Sequence, residues 1–553
     1  MLKLATLLQN PGEPETHSQY KRPDALKALG YNGLVLFSTT GLSGVGSPDD
    51  IADREFARWV GQQFDDAARK VEEATTAGLD VYFSYDMLVL PSDYVVKHHG
   101  ELCCKGSEGA LCPASEPAIT RSMAALNALI QRMPKAAGVV LRLGDTDARR
   151  LPYLTGNDVY APHCPRCSQL GRADRAVNAI EHAYDLVANR HNRRLIVRAW
   201  NVRPSGFHDG PDLAQRIVKR LPGDNNDDRL VLSFKFTQTD FWRYQPWNQA
   251  SLVCGDKSGA GRPILYELQC QREFEGKGGV PDYQPPLWRD GLPEAADAER
   301  GGLANVAGKV NLAGLWAWVR GGGWGGPFVQ DEAWIDANVF AVPQLADNPT
   351  ADPGQLARQW AAERLDLDEP ELIDAIVGIL ERSAEAAKLA FYFGPYTKTK
   401  GSPWHPAADW INDDQLNAEA CWRIVQRIPE DQLDQTIGEK ERAADSISHD
   451  RHLLQTLVGD RKHRRLESLV NTLIYAESLY AAIRDLTAGL IAYRRFRHSN
   501  LRDYADEARR RLLSAQSEWN HHAGRHAMLP GTATPFREHG FWELTQRVLD
   551  EVV

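Results

Sequence analysis

The amino-acid sequence predicts an α/β fold, a (β/α)8 TIM barrel over residues 1–345 followed by an all-helical domain over residues 346–553. Three observations carry this expectation. Eight short apolar runs alternate with helical patterns across the first two-thirds of the chain. Ionisable residues gather where several of those runs pass into loops. Strand-like patterning then stops near residue 346, and only long amphipathic periods follow.

The eight strands are expected at Leu4–Leu8, Gly33–Phe37, Val81–Phe83, Gly138–Leu143, Leu195–Val197, Leu230–Phe236, Ile264–Leu268 and Leu312–Trp318. Helical periods lie between them, for example at Phe56–Thr76, Ala118–Arg132, Ala173–Arg190 and Asp212–Arg220. An open doubly wound sheet also alternates β and α, but no G-x-G-x-x-G turn follows the first strand. The turn-rich Asn348-Pro349-Thr350-Ala351-Asp352-Pro353 marks the joint, with Thr350 or Asp352 as cap for a helix over Gln355–Leu365. Further helices are expected at Glu371–Ala390, Leu416–Arg427 and Leu466–Arg495, with no strands among them.

Composition narrows the class. The chain has 553 residues, 25% charged and 43% hydrophobic, as in ordinary globular proteins. A formal net charge of −10 argues against nucleic-acid binding, which needs a basic surface. No membrane span and no secretory cleavage site are visible, so a cytoplasmic location is expected. The eight cysteines are too sparse for a disulfide scaffold. Cys164-Pro165-Arg166-Cys167, beside His163, has the spacing of two corners of a zinc tetrahedron, which Cys103, Cys104 or Cys112 would complete. Unliganded loop thiols are the alternative, and no metal or organic cofactor is expected at the barrel mouth.

The strand ends suggest the chemistry. The fourth strand delivers Arg142, Asp145 and Asp147, the fifth Arg198 and Trp200, the sixth Lys235 and Asp240, and the seventh Glu267, Gln269 and Glu273. Period-two alternation sends Glu267 and Gln269 to one side of their strand. Carboxylates from three strands would share a pocket with Arg142, Arg198 and Lys235. Paired carboxylates are the machinery of glycoside cleavage, and arginine with lysine suits a substrate carboxylate. Trp200, Trp242, Trp247, Trp316 and Trp318 are candidate stacking walls, with core packing as the competing use.

Lys235-Phe-Thr-Gln-Thr-Asp240-Phe241 through Pro246, with Tyr266-Glu267-Leu-Gln269-Cys-Gln-Arg-Glu273-Phe-Glu-Gly276, resembles the α-glucuronidases of glycoside hydrolase family 67. Asn338-Val339-Phe340, Leu345–Pro349 and Leu356–Trp360 resemble that family's passage from barrel to helices. The resemblance spans residues 140–400 in pieces. It implies an inverting, exo-acting uronosidase in which Asp240 and Glu267 position and deprotonate water. Lys235 and Arg198 would hold the uronate, with Arg142 as a further cation. Trp200, Trp242, Gln269 and Glu273 would complete the substrate site. The family's general acid is a glutamate after the fourth strand. Here Asp145 stands nearest, kept protonated by neighbouring acids or burial, with Asp147 as the alternative. The sequence begins almost at the first barrel strand, so a chain without the family's β-rich N-terminal domain is expected, and the resemblance implies homodimerisation through the helical domain. The expected partner is therefore an oligosaccharide, with no nucleic acid and no membrane.

Three rivals fit the same barrel. One is a glycosidase for another uronoside or a neutral sugar. The second is a Schiff-base lyase on Lys235 with a phosphate at Gly321–Gly326. The third is a non-catalytic sugar-binding barrel. A serine hydrolase is unsupported, since Gly41-Leu42-Ser43-Gly44-Val45 lacks the final glycine of the nucleophile elbow.

Overall fold

The computed structural model describes residues 1–8, 17–107, 109–145, 148, 151–161, 164–202, 206–225, 227–259, 261–320, 328–399, 406–407, 409–412, 415–525 and 528–552. Eight parallel strands close on themselves into a barrel. They are β1 (Leu2–Leu7), β2 (Gly33–Leu36), β3 (Asp80–Asp86), β4 (Gly138–Gly144), β5 (Arg194–Asn201), β6 (Leu230–Lys235), β7 (Ile264–Gln269) and β8 (Leu312–Arg320). All eight expected strands form, each within a few residues of its expected ends. Their legibility follows from parallel pairing. Both faces of such strands are covered, so they read as continuous apolar runs such as Val139-Val140-Leu141 and Leu195-Ile196-Val197.

Register brings the functional positions level. Arg142 of β4 pairs with Arg198 of β5, Arg198 with Ser233 of β6, Lys235 with Glu267 of β7, and Glu267 with Trp316 of β8. Gly138 lets β4 start close to its neighbour, because a Cβ there would lie 2.1 Å from the Arg194 carbonyl oxygen.

The crossover helices begin at local caps. Asp53 accepts from the Glu55 and Phe56 amides to start Arg54–Thr76, and Ser115 starts Glu116–Arg132. The helix at Arg172–Tyr184 continues as a wider π-turn over Asp185–Arg190, where one uninterrupted helix is expected from the pattern. Asn248 caps Gln249–Gly255.

Helix Ala333–Asp347 packs on β1 and β8 and passes the chain to the C-terminal helices. Those include Pro353–Arg364, Pro370–Phe391, Leu433–Val458, Arg464–Ser499 and Arg502–Arg525. Asp352 caps the first of them, accepting from the Gln355 amide at 2.9 Å. Arg464–Ser499 and Arg502–Arg525 pack as a hairpin, and Asn500 makes the turn in the left-handed conformation at φ 56°. The expectation of a strand-free C-terminal part needs correction. Ile411–Asn412, Gln415–Asn417 and Arg537–His539 form a small sheet, whose strands are too short to show alternation. Among the described residues no helix is long and apolar enough to cross a membrane.

Asp336 ties the barrel to the helices. It accepts from Tyr20 Oη at 2.6 Å, Trp360 Nε1 at 2.9 Å and Arg364 Nε at 2.9 Å. Asp336→Ala is expected to cost about 3 kcal/mol, because it strands buried donors. A thermal melt checks this, and a midpoint equal to that of the parent chain would refute it.

Candidate active site

The C-terminal ends of β3 to β8 bring one charged cluster together. Arg142 is fully buried and faces two carboxylates, Asp86 at 3.2 Å and Asp145 at 2.9 Å. Arg198 bridges the next pair. Its Nη1 donates to Asp145 at 2.6 Å, and its Nε donates to both Glu267 oxygens at 3.1 Å. Ser233 Oγ also donates to Glu267, at 2.6 Å. Lys235 is paired with Asp240, and its ammonium lies 3.8 Å from the Trp200 ring centroid. The Trp318 ring lies beneath Arg198 at 4.8 Å, and Phe37 beneath Arg142 at 4.5 Å.

A strained turn places Asp240. Phe241, directly after it, has φ 53°, which a non-glycine residue seldom adopts. Its amide is held by Thr237 Oγ1 at 3.0 Å, and Arg272 donates to its carbonyl. Arg272 in turn belongs to a buried network with Glu275, Arg243, Asp282 and Tyr392, which roots the β6 and β7 loops in helix Pro370–Phe391 and the residue after it. Asp240 is the most accessible of the predicted catalytic carboxylates, with a side chain 28% exposed against 11% for Asp145 and 0% for Glu267.

The structure therefore gathers Arg142, Asp145, Arg198, Trp200, Lys235, Asp240 and Glu267. Gln269 and Glu273 form a neighbouring pair, with Gln269 Nε2 donating to Glu273 at 3.1 Å and the Glu273 amide donating back to Gln269. Trp242 differs from expectation. Phe274 covers one of its faces, stacked at 3.6 Å, and Tyr392 meets it edge-on, so the ring packs the β6 loop against the helices. Trp247 and Trp316 are core residues at 0% exposure. Asp147, His163 and Gly321–Gly326 lie outside the described residues.

The reason given for Asp145 as a general acid also needs correction. Its neighbours are cations rather than acids. Burial opposes its ionisation, but Arg142, Arg198 and Lys235 outweigh that and hold the carboxyl well below the usual carboxylate range. Asp145 is ionised in the free protein. A further consequence concerns substrate binding, because the three cations expected to hold a uronate are already paired with the protein's own carboxylates. The Nη2 of Arg198 is buried and lacks a hydrogen-bond partner among the described residues, leaving a donor for a bound oxygen.

Asp86 and Ser233 escaped the sequence reading. Asp86 ends the apolar run of β3 as Asp145 follows that of β4, so the same rule of strand-end carboxylates would have found it. Ser233 carries no such signal, since its role arises only from standing beside Glu267. The described residues contain one group able to hold a metal, four cysteines outside this cluster.

Neither a family model nor a curated protein matches the sequence. Solved structures do resemble the fold. A GH138 enzyme targeting pectin rhamnogalacturonan II superposes with TM-score 0.59 at 12% identity, covering 100% of this chain and 67% of that one. An O-GlcNAc hydrolase mutant from Thermobaculum terrenum gives TM-score 0.42 at 10% identity, covering 100% of this chain and 94% of that one. A β-N-acetylhexosaminidase from Bacteroides fragilis gives 0.33 at 13% identity, covering 62% and 65%. The first of these extends the shared fold over the barrel and the helical region together.

Proposed function

We propose that the protein is an inverting glycoside hydrolase that releases a uronic acid from an oligosaccharide. The observation that supports this reading is the meeting of Arg142, Arg198 and Lys235 with Asp145, Asp240 and Glu267 at the C-terminal mouth of a closed barrel, where barrel enzymes carry their chemistry. The resemblance to family 67 at Lys235–Phe241 and Tyr266–Gly276 supports it independently. So does the fold shared with an enzyme that targets pectin rhamnogalacturonan II.

In this reading Asp240 and Glu267 hold the attacking water. Glu267 is oriented by Arg198 and Ser233, and Asp240, the more accessible, takes the water's proton. The uronate carboxylate enters beside Lys235 and the unpartnered Arg198 Nη2. Its negative charge competes with Asp145 for the cations and raises that carboxyl's proton affinity. Asp145 then binds a proton only when substrate is seated, and donates it to the leaving oxygen. The buried pairing thus keeps the acid idle in the empty site. All these residues come from one chain, so dimerisation through the helices would act only indirectly.

Proton NMR with a xylo-oligosaccharide bearing an α-1,2-linked glucuronate tests the proposal. Glucuronic acid appearing first as the β-anomer supports both uronoside cleavage and inversion. Initial α-anomer would overturn inversion, and no release from uronosides would overturn the substrate class. Borohydride trapping of an adduct on Lys235 would favour the Schiff-base alternative instead. Lys235→Ala is expected to depress turnover of a uronoside at least tenfold more than that of the matching neutral glycoside. Equal losses would remove Lys235 from carboxylate recognition.

A further inference from the structure

We propose that Cys104, Cys112, Cys164 and Cys167 form a structural zinc site that clamps together the loops after β3 and β4. The four thiols come from two segments more than fifty residues apart in sequence, a C-x7-C and a C-x2-C. All four are buried, and their sulfurs lie within 4.8 Å of one another. The Sγ–Sγ separations are 3.7 Å for Cys104–Cys167, 3.8 Å for Cys112–Cys164 and 3.6 Å for Cys164–Cys167. Four thiolates about 2.3 Å from a central zinc, at tetrahedral angles, stand about 3.8 Å apart. Three of the six edges therefore match a zinc tetrahedron, and the remaining ones lie within 4.8 Å.

The surroundings suit a charged centre rather than a small apolar core. These cysteines form a cluster separate from the main core, and among the described residues Ala114 is the only partly buried apolar residue packed against it. Arg166 donates through Nε to Cys112 Sγ at 3.3 Å, and the Cys164 amide donates to Cys167 Sγ at 3.4 Å. Such donors offset the negative charge of four thiolates around a divalent ion. The backbone is also organised around the sulfurs. Cys103 and Leu111 form an antiparallel bridge that presents Cys104 and Cys112 together. Buried Arg175 holds the Cys167, Val159 and Tyr160 carbonyls at 2.8, 3.0 and 2.7 Å. Cys103, adjacent in sequence, belongs to the main hydrophobic core instead, which makes it an internal control.

The position gives the clamp a purpose. The loop after β3 is joined to that after β4 by a two-stranded ribbon, Val89–Pro91 with Leu154–Gly156, and by Asn157 donating to the Leu111 carbonyl at 2.8 Å. Asp86 and Asp145 stand at the starts of these two loops. An ion at the far side would hold the Asp86, Arg142 and Asp145 flank of the mouth in place without touching substrate. The site stands whether or not the proposed hydrolase activity does.

Elemental analysis of the full-length protein, purified under reducing conditions without added chelator, is expected to give one zinc per chain. X-ray absorption at the zinc edge should show four sulfur neighbours at about 2.3 Å. Cys103→Ala should retain the zinc, and Cys112→Ser should lose most of it and melt at a lower temperature. Metal-free protein with all cysteines titrating as free thiols would overturn the proposal. So would disulfides among the four cysteines, nitrogen or oxygen bound to the metal, or one iron per chain in place of zinc. The absorption measurement needs no variant, so a misfolded Cys112→Ser protein would leave the test intact.

Discussion

Glu267→Gln and Asp240→Asn are each expected to reduce turnover by about 10²–10⁴-fold, the range that follows when one proton-handling group is removed. The two variants reach that loss by different physical routes, and their stabilities separate them. Asp240 is partly exposed, and its buried partner Lys235 still has the Asp145 charge nearby, so its amide variant loses less stability than the Glu267 variant. Glu267 is fully buried and accepts from Arg198 and Ser233. A glutamine there must turn its NH2 group towards a guanidinium or a hydroxyl, and Arg198 loses half of its compensating charge. That variant is therefore expected to lose both activity and stability. Steady-state kinetics with thermal melts of both variants check the pattern. Asp240→Asn retaining near-parent turnover would overturn the assignment of Asp240 as the base, and would favour a sugar-binding barrel.

Arg198→Leu is the most damaging single change expected for the fold of the site. Arg198 is 1% exposed and joins two carboxylates that otherwise repel each other. Removing one partner of a buried pair commonly costs about 3–5 kcal/mol, because the remaining charge is left uncompensated. The loss carries a sign in pH. In the parent chain Asp145 has a folded pKa below its unfolded value of about 3.9, so its pairing adds stability above that pH and loses it on acidification. Arg198 is one of the cations that lower the Asp145 pKa, so Arg198→Leu forfeits part of this contribution. The gap in melting temperature between parent and variant is expected to narrow as pH falls from 5 to 3. A gap that stays constant or widens on acidification would show that Arg198 does not hold Asp145 ionised.

Much of the architecture was legible because it rests on local patterns. Apolar runs bounded by turns marked all eight strands, since each strand of a closed parallel sheet is covered on both faces. Asp352 was readable as one of two candidate caps, with Thr350, because a cap and the amide it receives lie three residues apart. The short strands near residues 411, 415 and 537 were not readable, because two or three residues cannot display a period. Trp242 shows the limit for single side chains. Its neighbour Phe274 arrives from the β7 loop, and nothing around residue 242 announces it.

The charged cluster divides in the same way. Which residues stand at the strand ends was written in the sequence, since a strand's length and alternation set where its polar residues emerge. Their state was not. Asp145 was expected to be held protonated by acids or burial, whereas the fold surrounds it with Arg142, Arg198 and Lys235 from three strands, which outweigh its burial. The cysteines repeat the lesson, for C-x2-C is visible at Cys164 and Cys167, yet only the meeting of two loops selects Cys104 and Cys112 over Cys103. The sequence by itself determined the barrel, the helices and the identity of the groups brought to its mouth, because periodicity and capping act over a few residues. Only the tertiary structure decided which charges pair, which carboxyl stays ionised and which thiols converge, because those depend on distances through space between strands and loops far apart in the chain.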